Sequence, residues 1–68
     1  MDKDLLKGKV SESGLKKCFI AEQLGISRAA YGLKESGRNE FTASEIQTMR
    51  KLLNLSDRDV RVIFLSTE

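Results

Sequence analysis

Glycine stands at positions 14, 25 and 37, and a serine or threonine opens a new apolar pattern at positions 27, 42 and 56. This punctuation constrains the chain more than any other feature. A glycine can take the left-handed backbone that closes a helix, and a hydroxyl can cap the free amides of the next one. No proline interrupts the segments between. The chain therefore reads as a series of short helices, each about two or three turns long, that must bury their apolar faces against one another.

The first helix is expected over Asp4 to Glu12, with Leu5, Leu6 and Val10 inward. Gly8 weakens it by about 1 kcal/mol relative to alanine, and Gly14 ends it. The second runs from Lys17 to Leu24, with Ile20, Ala21 and Leu24 on one face and Gly25 as its stop. Ser27 caps a third over Arg28 to Glu35, and Gly37 follows as its stop. "RNEF" is a connecting loop. "TASE", Thr42 to Glu45, is a capping box for a fourth helix carrying Ile46, Met49, Leu52 and Leu53. Asn54-Leu55-Ser56 breaks that helix, and Ser56 caps a fifth from Asp57, with Asp57 and Asp59 at its positive end. Val60, Val62, Ile63, Phe64 and Leu65 favour strand, so a strand over 57–65 that pairs two subunits is the alternative. The good cap and short run favour helix. The segment has more apolar residues than one helix face needs, which predicts a subunit contact through Val62 and Leu65.

With 68 residues, the reading is one all-α domain over 1–68, four or five helices with a small core that needs tight packing or dimerisation. There is no histidine and one cysteine, Cys18, so the chain has no internal disulfide, no Cys/His zinc set and no nucleophile–base pair. No cofactor, metal or enzymatic role is expected. Cys18 reads as a small, half-buried filler in a reducing cytoplasm. The longest apolar run, Val62 to Leu65, is far too short to span a bilayer, and the charged "MDKDLLKGKV" is no signal peptide, which points to a cytoplasmic protein.

Two short helices meet across Gly25-Ile26-Ser27, the helix-turn-helix pattern. Ala21 sits where a second helix would cross, and Leu24, Ile26 and Tyr31 can close a core between the two. Tyr31 is therefore read as core rather than as a base-stacking ring. The overall charge of +2 is uninformative, but Lys16 to Asn39 holds five basic side chains against two acidic ones, a net of +3.

"GLKKCFIAEQLGIS" followed by "YGLKESGRNEFTASEIQTMRKLLNLS" resembles the lambda-repressor-like (Cro/CI, Xre) family of DNA-binding regulators. It looks most like the short phage and prophage members, in which a K-x-x-G-x-x-E-F-T loop leads into the fourth helix. Here the loop reads Lys34, Gly37, Glu40, Phe41 and Thr42, and the resemblance covers Leu15 to Leu55. It implies a four- or five-helix domain that binds operator DNA as a homodimer, with the third helix in the major groove. Base contacts then fall at Arg28, Ala29, Gly32 and Leu33. Phosphate contacts fall at Lys16 and Lys17, at Ser27, and at Arg38 and Asn39 after the third helix.

Four features depart from that family. Lys16 and Lys17 replace the usual Thr or Ser cap and Gln. Ala29, Gly32 and Leu33 offer no hydrogen bonds. Lys34 occupies a position often apolar, where its stem is expected to pack while its amine reaches solvent. Phe19 lies on a face expected to be exposed, where polar residues are usual. Two readings follow. In the first, Arg28 pairs with guanine, and Ala29 and Leu33 meet thymine methyls, in a modestly specific regulator anchored by phosphates. In the second, the apolar Phe19, Ala29 and Leu33 face binds a phage repressor protein, and the chain is an antirepressor.

Overall fold

Helices begin and end where the punctuation falls. The computed structural model describes residues 1–65, all of whose regular structure is helical: α1 (Lys3–Ser13), α2 (Lys17–Leu24), α3 (Arg28–Glu35), α4 (Ala43–Leu53) and α5 (Asp57–Phe64). Three helices close in the same way. Gly25 at φ +75° donates to the Glu22 carbonyl (3.0 Å) while the Ile26 amide reaches back to Ala21 (3.1 Å). Gly37 at φ +89° and Arg38 repeat the pattern on Lys34 and Leu33. After α4, Asn54 takes the left-handed position at φ +54°, and Leu55 closes onto Arg50 (2.9 Å). Asparagine tolerates this conformation better than most side chains do.

α1 begins one residue earlier and ends one later than its apolar pattern predicts. Asp2 is its cap, accepting the Leu5 amide at 3.0 Å, and the Asp2 amide donates to the Ile63 carbonyl at 2.9 Å. This second bond ties the start of α1 to the end of α5. The strand alternative for 57–65 is excluded over the described residues. Ser56 and Asp59 form a reciprocal capping box, and α5 turns Val60, Ile63 and Phe64 inward at helical spacing while Val62 and Leu65 face out. Capping and a helical burial period together outweigh the β preference of the individual residues.

The buried apolar side chains form one cluster. α1 supplies Leu6 and Val10, α2 Ile20 and Ala21, α3 Tyr31, α4 Met49 and Leu53, and α5 Ile63, with Leu55 from the last turn. Burying each of the larger aliphatic side chains contributes about 1.5–3 kcal/mol. α2 packs on both α3 and α4, and α1 lies across α3, α4 and α5. Phe41, in the loop after α3, is a keystone: its ring meets Tyr31 edge-on at 6.3 Å and Phe64 edge-on at 5.4 Å. The loop between α3 and α4 is thereby anchored from within.

Candidate nucleic-acid interface

α3 is held from its inner side. Tyr31 is fully buried, and its hydroxyl donates to Glu35 Oε2 at 3.0 Å one turn later. Leu24 and Ile26 pack half-buried against the core beside it, as the turn sequence predicts. Burial, the negative charge of Glu35 and the hydrogen bond to it push the Tyr31 phenol far above its ordinary range, while the Arg28 guanidinium opposes the shift.

The outer side of α3 is left open. Ser27 starts it in an extended conformation, its Oγ accepting the Ala30 amide at 3.0 Å, so its O–H remains free to donate outward. Arg28 and Gly32 share one row of the helix, and Ala29 and Leu33 the next. Arg28 and Ala29 are exposed and Leu33 is 42% exposed. Gly32 is half-buried because Arg28 covers it: Nη1 stands 3.1 Å from where a Cβ on Gly32 would sit. The four residues expected to read bases thus lie together, with the guanidinium laid along the helix. Arg38 and Asn39 are also exposed, and both of their amides donate to the Leu33 carbonyl (2.9 and 3.2 Å), which fixes the loop against the end of α3.

The two lysines at the start of α2 differ. Lys16 is exposed at the cap position and makes no side-chain cap hydrogen bond. Lys17 is turned across to α3, its Nζ 2.9 Å from Glu35 Oε1. Glu35 therefore receives Lys17 on one oxygen and Tyr31 on the other, a buried carboxylate that joins the first residue of α2 to the last of α3. The sequence reading missed it. The available signal was the four-residue spacing from Tyr31, which places the carboxylate on the inward row.

Two expectations are corrected. The Lys34 amine does not reach solvent. Its side chain is 14% exposed, and Nζ donates to Glu45 Oε1, because the capping box that starts α4 brings that carboxylate to the last turn of α3. Cys18 is exposed rather than half-buried, since Ile20 and Ala21 take the inward positions of α2. Phe19 is 40% exposed on α2, as expected. Val62 and Leu65 are exposed on α5 and at its end. Among the described residues no cluster of His, Cys, Asp and Glu could hold a metal ion, and no helix is long and apolar enough to cross a membrane. No family model, curated protein or solved structure matches the chain.

Proposed function

We propose that the chain is a sequence-specific DNA-binding transcription regulator of the lambda-repressor-like, phage or prophage kind, with α3 in the major groove. The observation that carries this reading is the division of α3 into two sides. Its inner side is locked by Tyr31 and Glu35, while Arg28, Ala29 and Leu33 on its outer rows are exposed and Arg28 alone covers Gly32. A helix held in this way can be presented to a groove without rearranging the core. In this reading Arg28 swings off Gly32 to bind guanine bidentately, and Ala29 and Leu33 meet thymine methyls. Lys16, the Ser27 hydroxyl, Arg38 and Asn39, all exposed, take phosphates. Val62 and Leu65 supply the apolar contact of a homodimer, which would place two α3 helices on two half-sites.

The test is fluorescence anisotropy of random and operator-candidate duplexes at about 50 and 200 mM salt, where phosphate-anchored binding falls steeply. Arg28→Ala is expected to cost about 1–3 kcal/mol and to relax sequence choice. Unchanged affinity and preference in that variant would sink the docking geometry. A second reading, a repressor-binding antirepressor, is favoured by the apolar exposure of Phe19 and Leu33. Phe19→Glu separates the two: duplex binding survives in the first, and binding to a repressor protein is lost in the second.

A further inference from the structure

We infer that Glu35 withholds the Lys17 amine from phosphate, so that this carboxylate sets how strongly the α2–α3 face binds DNA irrespective of sequence. The inference rests on the DNA-binding reading. It is carried by the geometry of one buried side chain. Glu35 is 6% exposed at its side chain, and both of its oxygens are engaged, one by Lys17 Nζ at 2.9 Å and one by the Tyr31 hydroxyl at 3.0 Å. Tyr31 is itself fully buried, so the carboxylate cannot turn away without orphaning that hydroxyl. The Lys17 side chain is 41% exposed, while its amine is held on the buried Glu35 carboxylate.

A phosphate approaching the start of α2 meets an amine whose charge Glu35 already balances, and must compete with that carboxylate for it. The competition is unequal. A carboxylate in a low-dielectric site is costly to leave without its cation, whereas a phosphate contact at the surface is weakened by salt and water. Lys17 therefore stays with Glu35 in the complex. Among the basic residues of the face, Lys16, Arg28 and Arg38 are left to meet the nucleic acid. A glutamate that looks merely structural thus lowers sequence-independent affinity, which favours discrimination by α3.

The experiment is a two-residue cycle read by anisotropy of a random duplex between about 50 and 200 mM salt, with folding checked by circular dichroism. Glu35→Gln keeps an oxygen for the Tyr31 hydroxyl and frees the lysine. It is expected to bind several-fold more tightly, with a salt slope steeper by about 0.9, the increment for one added phosphate contact. That increment makes the gain roughly threefold larger at the lower salt. In a Lys17→Met background the same substitution should bring no gain. Lys17→Met alone should leave the salt slope unchanged once circular dichroism shows that it folds with Glu35 left unpaired. A gain that persists without Lys17 would mean that only a negative charge had been removed, and would overturn the inference. Absence of any gain, or a shallower slope in Lys17→Met, would overturn it too. Binding by wild type without a Glu35→Gln gain sinks the inference and leaves the DNA reading standing. No binding by wild type overturns both, since the inference rests on that reading.

Discussion

Two lysine–glutamate pairs tie α3 to its neighbours, and they are built differently. In Lys34–Glu45 both side chains are nearly closed off, 14% and 12% exposed, and Glu45 also accepts the Thr42 amide at 2.9 Å. In Lys17–Glu35 the carboxylate is the more deeply buried, yet the lysine stands at the surface. The first pair is a clamp between α3 and α4. The second lies on the boundary between the core and the face proposed to meet DNA. A charge pair buried at both ends can only hold, whereas one with an exposed cation can also govern what that cation does outside.

Removing each pair in turn and following urea unfolding should tell the two apart. Glu35→Ala should be the larger loss, about 2–3 kcal/mol, because it orphans the buried Tyr31 hydroxyl and leaves a void. Lys34→Met should cost about 1–2 kcal/mol, since Glu45 keeps its hydrogen bonds with Thr42. If the order were reversed, the clamp and not the boundary pair would be the more deeply embedded. Thr42→Ala should cost about 1 kcal/mol, the usual worth of a helix cap, while the Lys34–Glu45 bond persists.

pH sharpens the contrast further. At Glu45 burial opposes ionisation, but the hydrogen bonds from Lys34 and Thr42, together with the Lys34 charge, outweigh it and hold the carboxyl below its ordinary value of 4.5. A depressed value in the folded state contributes stability above the unfolded value and loses it as pH falls through the folded one. Acid unfolding should therefore steepen below about pH 4.5, and Lys34→Met should flatten that limb. Tyr31 behaves oppositely. Its raised value means that stability is intact below the ordinary value of 10.0 and declines above it, as the unfolded chain loses a proton that the folded one keeps. Unfolding of Tyr31→Phe followed between about pH 9 and 11 should show a shallower decline than wild type.

Much of the fold was legible because its signals are local. The bounds of α2 and α3, the Ser27 cap, the Thr42–Glu45 capping box and the stops at Gly25 and Gly37 each depend on a few neighbouring residues. The inward place of Tyr31 was equally legible from helical spacing, whereas Arg28, Ala29 and Leu33 were singled out by the family resemblance, and helical spacing agrees with it. The misses share the opposite property. Glu35, the Lys34 amine and the Asp2 tie to Ile63 depend on what stands across from them, eleven to sixty-one positions away in the chain. Cys18 was misjudged because α2 is only half buried, and composition does not tell which half.

The amino-acid pattern fixes, to within a residue, where helices start and stop and which large apolar residues face inward, since caps, glycine backbones and the 3.6-residue period act within a turn or two. Only the tertiary structure decided the fate of its charges. A lysine side chain is long enough to reach several partners, and which carboxylate it meets, and at what depth, is set by how helices distant in sequence pack. That packing closed Lys34 into a clamp and drew Lys17 to Glu35, while Lys16 beside it stayed exposed.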